Sequence, residues 1–368
     1  MESPRATEST RKMSKSTASS RASQFVPWGE RIPPHLRHSE GFFRNARGQS
    51  LFYFTLFPEE HRSLRGVVLH LHGLGDHCRR YIFVYERLCA AGFGVITFDM
   101  VNHGSSDCDA HRTRAHVRKF DNLVDDANAF ITYTKMQMFP TITHRGTAVS
   151  ALKVPLVCAG ISFGTLVGVH VVLSGRHQFR AAIWSSPTLG TAWTPKLRVE
   201  ATVLQPIALF MPTSRVVPAV DYEWICRDPG FLEDYTTDPL TSTEMMTART
   251  GTQTAKAMKK LKKDKSVEDP HSPFGSTSML FLAGSLDNIA DSASAVALFE
   301  RMGNRDKTFK LFKGMYHCVY EDPESDDVFE YLTHWLRQRC PKLTLHRTES
   351  AFEHEEFGWD RVGSSSRG

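Results

Sequence analysis

The sequence predicts an α/β protein: a mostly parallel central sheet with helices on both faces and one large insertion. Three observations carry this. From about residue 66, apolar strand-like runs alternate with amphipathic helical stretches. A serine stands between two glycines where a buried strand runs into a helix. The alternation breaks between Pro187 and about Pro273 and then resumes.

The elements follow in order. Phe42 to Phe57 reads as two strands around the turn Asn45-Ala46-Arg47-Gly48, because aromatic and apolar residues flank a turn-forming cluster. Gly66 to His72 is an apolar strand, and Arg79 to Ala91 an amphipathic helix with Tyr81, Val84, Tyr85 and Leu88 on one face. Phe93 to Met100, Val154 to Gly160 and Phe179 to Ser185 are further strands, with a long helix from Val117 to Met138 between the first two. In the insertion, Pro206, Pro212 and Pro218 interrupt an apolar stretch and a lysine-rich helical segment follows. Ser278 to Gly284, a helix around Ser292 to Arg301, Lys307 to Phe312 and a helix from Asp326 to Gln338 complete the pattern. The expected division is a basic disordered tail over 1–38, a core over 39–187, an inserted lid over 188–272, the second part of the core over 273–340 and a polar tail over 341–368.

Composition narrows the class. The 368 residues are 41% hydrophobic and 23% charged, the balance of a soluble globular chain, and this excludes collagen-like and wholly disordered readings. The net charge is +5, and residues 1–24, with five basic and two acidic side chains, hold most of it, so no nucleic-acid-binding surface is expected. Seven cysteines without a CxxC pair, and no apolar leader, point to free thiols in a reducing, cytoplasmic setting. Val154 to Gly175 is uncharged and carries Gly160, Gly164 and Gly168 at every fourth position, which imitates a membrane helix. Pro155, Ser162 and His170 favour a strand followed by a helix instead.

The chemistry starts at Gly160-Ile161-Ser162-Phe163-Gly164. Glycines on both sides let the chain turn sharply from strand to helix, so that the Ser162 hydroxyl projects above the sheet. A serine hydroxyl is a weak nucleophile and needs a base, itself oriented by a carboxylate. Asp287 and His317 follow the last two strands in the order this architecture uses, acid before histidine. Their rivals are Asp291, at a helix start where an ordinary dipole role suffices, and His334, mid-helix. For an oxyanion, the candidate donors are the backbone N–H groups of Phe163 and of Leu74, the latter in the glycine turn His72-Gly73-Leu74-Gly75.

Two other readings compete for that turn. Gly73-Leu74-Gly75 with Asp99 imitates a dinucleotide fingerprint, but Cys78 occupies the third glycine position. His70-Leu71-His72 with Asp76-His77 resembles a metallohydrolase cluster, although three residues separate His72 from Asp76 and the serine, acid and base go unexplained. Neither a cofactor nor a metal is expected.

The segments HLHGLGDHCRRY (70–81), FDMVNHGSSD (98–107), AGISFGTLVG (159–168), RDPGFLEDYTTDPL (227–240), GSLDNIAD (284–291) and GMYHCVYED (314–322) resemble, in order, the motifs of the monoacylglycerol lipase group of α/β-hydrolases. The resemblance covers roughly residues 40–338 and implies the α/β-hydrolase fold, the triad Ser162, Asp287 and His317, oxyanion donors at Leu74 and Phe163, and a lid over an acyl pocket. The sequence departs from the group at Ile161, where histidine is usual, and at Phe163, where methionine is usual. The expected activity is hydrolysis of a lipid ester, most simply a monoacylglycerol. Lysophospholipase and proline-releasing aminopeptidase are the alternatives on the same fold, and a metallohydrolase or a non-catalytic interaction protein lie outside it.

Val203, Leu204, Ile207, Leu209, Phe210 and Met211 give the insertion more apolar surface than a solvated loop requires, and Lys256, Lys259, Lys260, Lys262, Lys263 and Lys265 follow. Leu204, Ile207, Leu209 and Phe210 are therefore candidates for substrate or peripheral membrane contact, helped by the lysines at an anionic surface. Packing onto the main domain is the ordinary alternative. Cys318 adjoins the candidate base, so a bulky adduct there is expected to disturb the imidazole, with Cys226 the next thiol to test.

Overall fold

The computed structural model describes residues 27–191, 195–217 and 221–342; the expected tails over 1–26 and 343–368 lie outside the described residues. Eight strands form the main sheet: β1 (Arg37–Arg44), β2 (Ser50–Phe57), β3 (Gly66–Leu71), β4 (Phe93–Phe98), β5 (Leu156–Ile161), β6 (Ala181–Ser185), β7 (Ser278–Gly284) and β8 (Lys307–Phe312). Their order is β1-β2-β4-β3-β5-β6-β7-β8. β2 pairs antiparallel with β1 and β4, and every later pair is parallel. Every residue of β3, β4, β5 and β6 is buried. Such strands, covered on both faces, read as continuous apolar runs, which is why the sequence revealed them.

The helices are α1 (Ile82–Ala90), α2 (Phe120–Tyr133), α3 (Phe163–Leu173), α4 (Pro195–Phe210), α5 (Pro229–Thr237), α6 (Ala248–Lys263), α7 (Ser292–Arg301) and α8 (Ser325–Arg339). Two apolar cores flank the sheet. One joins Tyr85 and Leu88 of α1 to Leu332 and Trp335 of α8, and the other gathers Phe130 of α2, Leu166 of α3, Met258 of α6 and Leu298 of α7. The membrane-like stretch is split into β5 and α3. A side chain at Gly168 would come within 2.5 Å of the Trp184 ring, so that glycine serves helix-on-sheet packing, not a membrane dimer.

Three expectations shift. The chain is packed earlier than residue 39: Trp28 is buried, its ring 4.8 Å from that of His77, and β1 begins at Arg37. Aromatic burial outweighs the polar composition of that stretch. The helix expected over Val117–Met138 is α2 followed by a π-helical turn, Thr134–Met138. In the insertion, Pro206 lies inside α4, and α6 is part of the main core through Ala257, Met258 and Leu261.

In a sheet of this topology a crevice opens where successive strands leave in opposite directions. Here β4 lies on one side of β3 and β5 on the other. The turn after β3 and the turn after β5 therefore meet at one end of the sheet, joined by the loops after β7 and β8.

Candidate active site

Ser162 stands between β5 and α3 with φ +50° and ψ −121°, a left-handed backbone that a non-glycine residue holds only at a cost of about 1–3 kcal/mol. The flanking glycines explain how the chain reaches it. A Cβ at Gly160 would lie 2.5 Å from Gly164 O, and one at Gly164 would lie 2.2 Å from Leu71 O. The turn is held by Ser162 N donating to Ser185 O at 3.0 Å and by Thr165 N and Oγ1 donating to Ser162 O at 2.9 and 2.6 Å.

Opposite it, Asp287 Oδ2 accepts from His317 Nδ1 at 2.9 Å, and the two side chains are almost wholly buried. Burial alone would raise the Asp287 carboxyl, but the hydrogen bond and charge of His317, together with amide donors, hold it below the usual carboxylate range. Those amides belong to Ile289 and Ala290, at 2.9 and 3.0 Å from Oδ1. Asp291 instead caps α7, accepting from the Ser294 hydroxyl at 2.6 Å. His334 is exposed and meets Gln338. Of the rivals weighed from sequence, neither reaches the cleft.

Ser162 and His317 line one cleft of about 110 Å³ together with Leu74, Asp76, Tyr81, Tyr222 and Tyr235. Ser162 Oγ makes its hydrogen bond with Thr188 Oγ1, at 3.4 Å. No hydrogen bond joins Ser162 to His317 among the described residues; in an unliganded site a nucleophile–base contact is commonly longer than in the reacting complex. The amides of Leu74 and Phe163 are uncommitted among the described residues, so both remain available as donors.

The histidine cluster has other employment. His72 Nδ1 donates to Gly73 O at 2.7 Å while Nε2 accepts from Met100 N at 3.0 Å. Burial lowers the His72 imidazole to about 4 and the His70 imidazole to about 3, so both are neutral scaffold groups. Asp76 accepts from Arg80 Nε at 3.1 Å and from Tyr81 OH at 2.6 Å, and His77 Nε2 meets Asp238 at 2.7 Å. Asp99, the supposed ribose ligand, caps the backbone of Cys78 and Ser105.

That polar network is not legible in the sequence. Arg80 also binds Asp234 and Asp238, and Ser242 N donates to Gly75 O at 2.7 Å, so the insertion from α5 onward is tied to the turn that carries Leu74. His317 is fixed from the same side: Cys318 N donates to Ile225 O at 2.7 Å, and the Ser186 hydroxyl donates to His317 O. The segments 70–81 and 227–240 both carry motifs, but nothing in their spacing says that Arg80 meets Asp234 and Asp238. The four candidate lid residues divide. Leu209 and Phe210 are 63% and 80% exposed, whereas Leu204 and Ile207 are half-buried, Leu204 facing Gly251 of α6.

A sequence model of one protein family, described as serine aminopeptidase, S33, matches residues 62–324. The chain belongs to that family. Relatives of this S33 hydrolase include a monoacylglycerol lipase of Mycolicibacterium smegmatis, 26% identical over 81% of the chain and 96% of the relative. The monoglyceride lipase of Homo sapiens is 24% identical over 87% of the chain and 94% of the relative. Among solved structures, a monoacylglycerol lipase of Paleococcus ferrophilus superposes with a TM-score of 0.63 at 25% identity, over 78% of this chain and 99% of that one. A soluble variant of the Saccharomyces cerevisiae monoglyceride lipase, in complex with a substrate analog, gives a TM-score of 0.68 at 19% identity, over 83% and 95% of the two chains, a likeness of fold. The S33 chain is thus an α/β-hydrolase and an ester hydrolase of this family.

Proposed function

We propose that this hydrolase cleaves monoacylglycerols to fatty acid and glycerol through an acyl-enzyme, with Ser162 as nucleophile, His317 as base and Asp287 as the orienting carboxylate. The observation that carries the reading is the buried Asp287–His317 pair, 2.9 Å apart, across one cleft from the strained Ser162. His317 takes the Ser162 proton as Oγ attacks the ester carbonyl, and Asp287 stabilises the imidazolium that forms. Charge developing on the carbonyl oxygen is met by the Leu74 and Phe163 amides. His317 then returns its proton to the leaving alcohol, and water repeats the cycle on the acyl-enzyme.

The head-group side of the cleft favours an uncharged polyol. Its two carboxylates are already committed, Asp76 to Arg80 and Glu244 to Arg215 at 2.6 Å, which leaves no free anion for the α-ammonium of a peptide. Tyr235 and Ser242 supply hydroxyls instead, whereas the Tyr222 hydroxyl already donates to Thr243 O. The relatives named as monoacylglycerol and monoglyceride lipases point the same way.

The space of about 110 Å³ is below the roughly 300–1,000 Å³ of ordinary ligand pockets. Entry of a long acyl chain then requires movement of the insertion, and the exposed Leu209 and Phe210 at the end of α4 would rest on a lipid surface as it opens. No helix among the described residues is long and apolar enough to cross a membrane. Rates on a panel of monoacylglycerols, lysophospholipids and amino-acyl prolines, normalised to fluorophosphonate-labelled enzyme, test the reading. Faster turnover of either other class would replace it.

A further inference from the structure

A second cleft, of about 960 Å³, opens beneath the amino-terminal ends of β5 and β6, the end of the sheet opposite Ser162. At about 3.3 Å per residue, the six residues of β5 set it roughly 20 Å from the nucleophile. Its charged and imidazole lining is Lys135, Lys153, Arg176, His177, Arg180 and His271, with no carboxylate. Phe139, Val149, Leu156 and Phe179 form an apolar floor.

The cations are only partly neutralised. Arg176 pairs with Asp125 at 2.8 Å, Arg180 Nε donates to Arg339 O at 2.9 Å, and the His271 amide meets Asp269. Lys153 makes no ion pair among the described residues. Lys135 Nζ lies 3.5 Å from His177 Nδ1, whose other nitrogen faces Asn128 O at 3.1 Å. That arrangement sets a neutral imidazole with Nε2–H donating to the carbonyl and Nδ1 accepting from the lysine. Burial lowers both Lys135 and His177, a cost that an arriving anion would reverse.

Two backbone irregularities converge on the same cleft. Lys135 belongs to the π-helical turn Thr134–Met138, a rare form that is frequent at functional sites. Lys153 has φ +46°, a left-handed conformation costly for a side-chain-bearing residue and concentrated at ligand clamps. Both irregularities place a lysine at the rim.

We propose that this cleft binds an organic phosphate, its anionic group held by Lys135, Lys153 and Arg176 and its less polar part lying on Phe139 and Phe179. Arginine forks match phosphate oxygens and lysine supplies point charges, so the lining suits a ligand with two or more negative charges. The volume falls within the range of a whole small molecule, more than a bare ion requires. The same chemistry is offered by a soluble nucleotide or by a phosphorylated lipid head group.

Calorimetric titration of the full chain distinguishes them, with metal-free ADP as one probe and a water-soluble short-chain phosphatidylinositol phosphate, beside short-chain phosphatidylcholine, as the other. Binding of ADP assigns a soluble ligand, and binding confined to the short-chain phosphatidylinositol phosphate assigns the head group. In either case Lys135→Gln and Lys153→Gln should each weaken the binding by about tenfold, the loss of one charge-assisted hydrogen bond. Lys256→Gln with Lys259→Gln, on the exposed face of α6, should leave binding of these soluble probes unchanged, and all these variants should hydrolyse a short water-soluble ester at the parent rate. Lys153 lies in a surface turn, so its variant stays informative if Lys135→Gln unfolds. The proposal is overturned if neither probe binds, if the cleft variants bind as tightly as the parent, or if the α6 variant loses as much affinity as they do.

Discussion

The carboxylate of Asp287 divides its two oxygens between the backbone and the histidine: Oδ1 accepts the amides of Ile289 and Ala290, and Oδ2 accepts His317 Nδ1 at 2.9 Å. The amides lock the carboxylate, the carboxylate locks the imidazole tautomer, and Nε2 is left to act on a neighbouring hydroxyl. Replacing Asp287 by Asn should therefore leave a folded enzyme that is slower by about four orders of magnitude. Asp291→Asn should leave the rate near that of the parent, because Asp291 caps α7 and Asn is as good a cap. Initial rates with one ester on both variants decide it; a larger loss in the Asp291 variant would move the acid. The pair also has an acid signature. The Asp287 carboxyl lies below its ordinary 3.8, so its stabilising contribution is present above that pH and is lost as pH falls through the folded-state value. The stability gap between parent and Asp287→Asn should close in that acid window in denaturant titrations.

Ser162→Ala should abolish both ester hydrolysis and fluorophosphonate labelling while thermal unfolding changes little. Only a half-buried hydroxyl is removed, and the left-handed backbone, with its glycine packing, is the same for alanine. Residual labelling elsewhere in the chain would show a second reactive serine and end the present assignment.

Glu321 lies one turn beyond His317, and both its carboxylate oxygens are buried without a hydrogen-bond partner among the described residues. Burial first, and Asp76 second, push its carboxyl up to about 8, with Arg80 opposing and Asp322 adding to the rise. The folded state then keeps a proton that the unfolded chain releases above the ordinary 4.5, so stability falls as pH rises from there through about 8. Glu321→Gln should gain stability over the parent across that window and show no relative gain in acid. Unfolding midpoints of the two proteins at pH 4.5 and pH 8.5 check the sign; an equal difference at both would mean that Glu321 titrates normally.

What could be read from sequence follows from how local each feature is. Strands β3 to β6 are buried on both faces and appear as unbroken apolar runs. Ser162 announces itself because the two glycines its turn needs are within two residues of it. The hold on the turn that carries Leu74 is different: Arg80 meets Asp234 and Asp238 across more than 150 positions, and no periodicity encodes such a meeting. Trp28 is similar, since its burial brings the segment that holds Trp28 and Arg31 against His77, almost fifty positions away. The separation of Leu204 and Ile207 from Leu209 and Phe210 depends on which face of α4 meets α6, and a largely apolar stretch conceals that.

The thiol next to His317, the proposed base, is less reactive than its position suggests. Cys318 lines the cleft, but burial and the neighbouring Glu321 raise its thiol well above the ordinary range, and burial does the same to Cys226. The thiolate is the reacting form. A brief maleimide pulse near neutral pH should accordingly spare activity and mark Cys108, half-buried in the loop after β4, before either of them. Peptide mapping of the pulse-labelled protein tests this, and early inactivation that Cys318→Ser prevents would restore the expectation drawn from sequence.

In the insertion, Leu209, Phe210 and Met211 are consecutive exposed apolar side chains, and Val203 and Val216 are exposed as well. A contiguous patch of this kind marks a lipid or partner contact. Full burial of each large side chain is worth roughly 1.5–3 kcal/mol, and partial burial in an interface proportionately less. The lysines of α6 add about 1 kcal/mol each where they come near an anionic surface, within a Debye length. Sums of this size give reversible docking that weakens as salt rises. Replacing Leu209 and Phe210 by Ser should then reduce sedimentation with anionic vesicles and hydrolysis of a long-chain monoacylglycerol, yet spare a short water-soluble ester. Leu204→Ser supplies the contrast: it faces α6, so it should lower the unfolding midpoint and depress both substrates together. Equal loss on both substrates from the Leu209 and Phe210 pair, or salt-independent vesicle binding, would return these side chains to a purely structural role.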